Sequence, residues 1–189
     1  MIRVIAGCLL AWVLAGCQGT GTSASPQFPA VSVREILPSL EQEAREWKAD
    51  AYLTEVDIRL KELNSGSVVA SAGFQSPSEE HESVLVRLHP DNSVSSQVIA
   101  HELQVLQAEP IVLDDSVLDS AEALELALGE ADPGTSSLVG SGCSFLTLER
   151  AFAIDPRLIV WRLVLRECLT PAAEQIRIDA RTGELVNYP

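Results

Sequence analysis

The last third of the chain constrains the fold most. Residues 158–186 read LIVWRLVLREC, then LTPAAEQ, then IRIDARTGELV. That is a long strand, a short polar break, a second strand and a tight turn into a final edge. In the turn, Asp179-Ala-Arg-Thr-Gly183, glycine supplies the position with φ > 0.

The residues before this stretch complete a hairpin. Segments 143–154 and 158–169 read as two strands around Asp155-Pro-Arg157, with proline at the second turn position. A loop over 154–157 sets Ala153 opposite Leu158, and that register brings Cys143 opposite Cys168. It also pairs Leu146 with Leu165, Leu148 with Leu163 and Phe152 with Ile159, sets Glu149 opposite Arg162, and places Arg150 against Trp161 for stacking. A Cys143–Cys168 disulfide is expected, closing a loop of about 25 residues and contributing on the order of 3 kcal/mol. The alternative is a pair of reduced core cysteines.

The first half has a similar order. Ser39-Leu-Glu-Gln42 fits a capping box after Pro38, and Leu40, Ala44, Trp47 and Ala51 form one apolar stripe, so a helix is expected to open at Ser39. Val56, Ile58 and Leu60 alternate with Asp57, Arg59 and Lys61 as a half-buried strand. Asn64-Ser-Gly66 turns the chain; Val68, Ala70, Ala72 and Phe74 form a second strand, and Val84, Val86 and Leu88 a third, closed by Pro90-Asp-Asn-Ser. Residues 94–106 suit strand or helix, with valine favouring strand. A second helix starts at Asp119, with Glu122 as reciprocal cap, Leu124 and Leu128 sharing a face with Ala121, and Gly129 ending it. Residues 130–142 form a loop rich in small residues, the most mobile part expected. Helix, strand, strand, strand thus occurs twice, and VRLHPDNS at 86–93 echoes IRIDARTG at 176–183. The fold class is α+β: two helix-plus-antiparallel-strand halves, 34–108 and 109–189, with a curved antiparallel sheet packed on helices.

The N-terminus sets the expected location. Met1-Ile2-Arg3 is a short basic region, and the apolar run after it, about ten residues, is too short to span a bilayer. Leu14-Ala15-Gly16-Cys17 resembles a bacterial lipobox. The resemblance implies a signal peptide over 1–16, diacylglyceryl transfer to the Cys17 thiol and acylation, such as by palmitate, of the new amino terminus. The alternative is an ordinary secretory signal cut at Ala15 or Gly16. Residues 17–33, rich in Gly, Ser, Thr and Pro, would be a flexible tether. The expected address is an extracytoplasmic, lipid-anchored one, on the outer membrane facing the periplasm if the cell has two membranes.

Charge narrows the partners. Without Arg3, 12 basic residues face 27 acidic ones, a net of −15, and no Lys or Arg occurs between Arg87 and Arg150. Nucleic acid is a poor partner for such a chain, since phosphate contact requires a basic footprint. Anionic headgroups are equally poor ones, which leaves anchoring to the lipid.

Catalytic and metal motifs fail on inspection. His101-Glu102 lacks the second histidine of a zincin, because Val105 stands there. Gly140-Ser-Gly142 has neither nucleophile-elbow nor phosphate-loop spacing. Asp114-Asp115 with Asp119 lacks the alternation and central glycine of a calcium loop. No cofactor, metal or catalytic residue is expected.

SAEALELALG, IVWRLVLREC and IRIDARTGELV together resemble a PepSY-type domain over residues 119–187. The resemblance implies a small cystatin-like α+β fold in the bacterial envelope, protein binding, and in some members restraint of a peptidase. It brings no catalytic residues. The expected function is a non-enzymatic binding module for an unknown envelope protein or peptide, with Asp114, Asp115, Asp119, Arg150 and Trp161 as candidate partner surface. The alternative is an assembly accessory docking an envelope complex through its acidic face; a hydrolase is disfavoured.

Overall fold

The computed structural model describes residues 31–60, 68–104, 107–141, 143–169 and 173–187. Cys17, the tether up to residue 30, the Asn64-Ser-Gly66 turn, Val105 and Gly142 lie outside the described residues. In chain order the elements are α1 (Val33–Trp47), β1 (Tyr52–Arg59), β2 (Ala70–Ser76), β3 (Glu79–Leu88), β4 (Val94–Ala100), α2 (Ser120–Glu130), a 3-10 helix (Ser136–Ser141), β5 (Phe145–Arg150), β6 (Ile159–Leu165) and β7 (Glu174–Asp179). The ambiguous segment after Ser93 is therefore strand at its start, as its valines favour.

One curved antiparallel sheet holds all seven strands in the order β4-β3-β2-β1-β5-β6-β7. Each group of strands is a meander that runs outward from the middle, where β1 and β5 pair with Val56 opposite Leu148 and Ile58 opposite Leu146. Helix α1 packs on β3, β4 and β1, and α2 packs on β7 and β6. The apolar residues of both helices and of alternate strand positions form a single core, with Trp161, Phe74, Leu40, Leu146, Leu148 and Leu163 fully buried in it. Among the described residues, no helix packs on the other face of the sheet.

The two helices start together. Helix α1 opens at Val33, with Ser32 as its cap, rather than at Ser39. Pro38 lies inside the helix, and the Ser39–Gln42 pattern falls in its body. The cap is tertiary: Ser32 Oγ donates to Asp119 Oδ2 at 2.5 Å, and the Val33 amide donates to Asp119 Oδ1 at 3.0 Å. Asp119 simultaneously caps α2 in a full capping box with Glu122. Helix α2 buries Ser120, Ala123, Leu124 and Ala127, leaves Ala121 exposed, and runs one residue past Gly129.

The β5–β6 hairpin differs from the expected register. Leu146 pairs with Leu163, Thr147 with Arg162, Leu148 with Trp161 and Arg150 with Ile159. An additional turn causes the shift: the Ala151 carbonyl accepts from the Ile154 and Asp155 amides before the Asp155-Pro-Arg157 turn closes through Leu158 N–H to Asp155 O. The loop is longer, and each partner moves by two positions. An even shift leaves the side chains within β5 and β6 on their expected faces, so the core residues of the two strands are unchanged. Phe152, expected opposite Ile159, instead lies exposed in the loop. The Cys143–Cys168 disulfide forms beyond the strand ends, with Cα atoms 5.0 Å apart.

The second turn motif carries its outermost strand. Asp179 Oδ1 accepts from the Arg181 and Thr182 amides, and the Gly183 amide donates to Asp179 O. Gly183 has φ 74°, a conformation that favours glycine, while the 2.9 Å approach of a Cβ to Leu126 Cδ1 would be relieved by movement of that half-exposed side chain.

Candidate functional site

The open face of the sheet is polar along its middle. Following the pairing from one edge to the other, Arg177, Arg162, Thr147, Asp57, Ser71, Arg87 and Ser95 form one continuous cross-strand row over all seven strands. The row is nearly symmetric about the β1–β5 junction, with Arg87 and Arg177 at matching places near its ends. These are the two arginines of the VRLHPDNS and IRIDARTG echo.

Four charged side chains meet at the centre. Arg162 donates to both oxygens of Glu149 at 2.7 Å, a bidentate pair across the diagonal of the ladder. Thr147, buried despite its place on this face, donates from Oγ1 to Asp57 Oδ1 at 2.6 Å. Glu55 stands beside them because it alternates onto the same face of β1 as Asp57, while a bulge between Leu53 and Glu55 lets Leu53 return to the core side. The Glu55 residue reaches solvent, but its carboxyl is crowded by the strands around it. Desolvation first, then the charges of Asp57 and Glu149 and a hydrogen bond to Asp57, push it up to about 7, with Arg162 opposing. The hydrogen bonds that Arg162 donates to Glu149 hold its guanidinium above its ordinary range. Arg162 and Arg166 also lie over the Phe145 ring, 5.7 and 5.6 Å from its centroid.

The structure places the five residues expected to form a partner surface in different settings. Trp161 is completely buried on the helix side, its indole N–H donating to Leu118 O at 3.0 Å. Arg150 does not stack on it. Its guanidinium instead donates to the carbonyls of Glu109, Pro110, Pro156 and Arg157, clamping the segment before α2 to the β5–β6 loop. Asp119 is a shared helix cap. Burial pushes its carboxyl up, but hydrogen bonds from Ser32, Ser120, Arg34 and Val33 outweigh that and hold it below the usual range. Asp114 and Asp115 are exposed; Asp114 closes a turn on Ser116 and reaches Arg181 at 3.9 Å.

The described residues contain no group of three or more His, Cys, Asp or Glu able to hold a metal ion. A cleft of about 560 Å³ lies beside the 3-10 helix, between Asp132, Thr135, Leu138 and Glu174. Glu174 there accepts from Thr135 Oγ1 and the Asp132 amide. Glu55, Asp57 and Thr147 escaped sequence reading because their meeting depends on β1 pairing with β5, which no local pattern announces. The only signal was the Glu55, Asp57, Arg59 alternation on the polar side of a strand.

No family model matches the chain, and no curated protein does. The likeness to PepSY-type domains therefore rests on the helix, strand and turn residues alone. Among solved structures, a crystal structure described as that of a putative lipoprotein from Clostridium difficile 630 has a TM-score of 0.57 at 13% identity, over 84% of this chain and 91% of that one. The two share a fold. Among the described residues, no helix is long and apolar enough to cross a membrane.

Proposed function

We propose that this protein is a lipid-tethered, non-catalytic binding module of the bacterial cell envelope that engages a protein partner through the open face of its sheet. The observation that carries the reading is the polar row across all seven strands, centred on the Glu55, Asp57, Glu149 and Arg162 cluster. A sheet face that serves only to meet water does not need a bidentate ion pair and a crowded carboxyl at its centre. The row also gathers arginines in a chain that is otherwise strongly acidic, so it offers both signs of charge to a partner. The lipobox-like Leu14-Ala15-Gly16-Cys17 supports the tether, and the fold shared with a protein described as a lipoprotein agrees with it. In a cell with two membranes, the module would sit on the outer membrane facing the periplasm. The PepSY-like reading of residues 119–187 makes restraint of a peptidase the first activity to examine.

A second reading has its own observation. Asp114 and Asp115 are exposed in a stretch from Arg87 to Arg150 without Lys or Arg, and such a surface could dock an envelope complex instead. Site-specific photo-crosslinking in cells separates the two. A crosslinker at Ser71, in the middle of the row, should capture a partner, whereas one at Asp115 should not. Capture from Asp115 alone would replace the first reading with the second. Fractionation of Cys17→Ala tests the tether: the protein should leave the membrane fraction, and retention there would refute lipid anchoring through Cys17.

A further inference from the structure

We propose that the free edge of β4 is a second binding site, which accepts an extended, cation-flanked segment of a partner protein as an added strand. The two edges of the sheet are unlike. The β7 edge is covered by the chain itself over residues 177–179: Asp179 N–H donates to Glu184 O, Val186 N–H donates to Arg177 O, and Leu185 bridges to Ile178. At the other end of the sheet, no described residue pairs with the outer side of β4. Alternate amides and carbonyls along seven residues are therefore presented outward.

Edges of this kind are normally defended by charge, proline or a bulge. None is present here. Strand β4 reads VSSQVIA, without a charged residue or proline, and its ladder with β3 runs unbroken from Val94 opposite Leu88 to Ala100 opposite Glu82. It is also the apolar side of the molecule's end: Val98 is 47% exposed, Ile99 37% and Leu103, just beyond the strand, 82%. An incoming strand would satisfy the outward backbone groups and cover Val98 and Ile99 together.

The surroundings specify the charge of the occupant. Asp91 lies in the turn before β4 and Glu102 just after it; Glu82 faces Ala100 from β3, and Glu43 of α1 accepts from Ser96 Oγ. Arg87, a cation on the neighbouring strand, is engaged with Gln97. An uncharged strand framed by carboxylates suits a short apolar and hydroxyl-bearing segment with Lys or Arg at each end. A second copy of this chain suits it poorly. Antiparallel pairing about Gln97 would bring the Asp91 end of one strand beside the Glu102 end of the other, at both ends of the contact.

A dye-labelled nonapeptide of alternating Val and Thr, with two Lys at each end, tests this on the full-length protein in detergent. Anisotropy should show saturable binding, and hydrogen exchange should slow at the amides of residues 94–100. Methylating alternate peptide nitrogens keeps the charge but removes strand pairing, and should weaken binding at least tenfold. Replacing the Lys flanks with Glu should weaken it at least fivefold at low salt. Val98→Lys and Ile99→Lys, both at exposed positions, should each weaken it at least fivefold. Equal binding of the methylated peptide, or unchanged binding by both variants, would overturn the proposal. So would a dimer in sedimentation that Val98→Lys dissociates, because the edge would then belong to a second copy.

Discussion

Asp119 Oδ1 accepts from the Val33 amide at 3.0 Å while also accepting from the Ser120 amide at 2.8 Å, so one carboxylate serves the N-termini of both helices. The helices lie over opposite wings of the sheet, yet they are joined at their starts. The two wings are thereby tied twice, by the central ladder and by a cap. Both N-terminal helix dipoles also point at the same negative charge.

Asp119→Ala should therefore destabilise the protein by more than an ordinary cap loss, about 2–3 kcal/mol against a usual 0.5–2. Urea unfolding measures it. Asp119→Asn keeps an acceptor and should lose roughly half as much. The Asp119 carboxyl is held below its ordinary 3.8, so its contribution is present above that value and is lost as pH falls through the lower folded value. Wild type should lose this contribution in acid; Asp119→Asn should show no such step.

Trp161 is the largest side chain in the core, and its N–H bond to Leu118 O fixes the chain just before α2. Trp161→Phe retains much of the apolar contact but strands that carbonyl, and should cost about 1–3 kcal/mol. Trp161→Ala should cost about 3–5 kcal/mol through the cavity it leaves. Wild-type fluorescence should include a strongly blue-shifted, quencher-resistant component that Trp161→Phe abolishes.

What sequence reading recovered depended on the range of the interaction. Local rules found Asp119 as a cap, the Asp155-Pro-Arg157 turn and Gly183, because each is decided within a few residues. The hairpin register was missed by two positions because the second turn at Ala151 has no glycine or proline to mark it. The faces survived because that shift is even. Arg162 reaches Glu149 despite the changed register, since a guanidinium spans the diagonal. Helix α1 was started late because its true cap, Ser32, is completed by a residue 87 positions away. The Glu55 and Asp57 cluster was illegible for the same reason: its partners come from β5 and β6.

Removing the Cys143–Cys168 bridge should lower stability by about 3 kcal/mol, given a sequence separation of 25. The double variant Cys143→Ala, Cys168→Ala should match the reduced protein, since both act mainly on the unfolded chain. Thiol labelling of unfolded, unreduced protein should find neither cysteine. Chemical denaturation with and without reductant gives the magnitude, and a difference below about 1 kcal/mol would mean that the unfolded chain is already restrained there.

Glu55 makes the open face sensitive to pH near neutrality. Its folded value of about 7 lies above the ordinary 4.5, so the folded protein holds this proton after the unfolded chain has released it. The linkage has one sign: below 4.5 Glu55 makes no difference, stability falls as pH rises from 4.5 towards 7, and the loss levels off above that. Glu55→Gln keeps the side chain neutral and should be more stable than wild type at pH 8 but equal to it near pH 4, as denaturation across that range would record. Arg162 lowers the Glu55 value, so Arg162→Met should move its titration upward, measured by carboxyl-carbon resonance. A Glu55→Gln stability profile parallel to wild type from pH 4 to 8 would contradict the crowding of these carboxyls. If the open face binds a partner, the same proton should couple to that contact: an incoming cation beside Glu55 favours its ionised form, so binding a basic surface should strengthen as pH rises through 7 and release a proton.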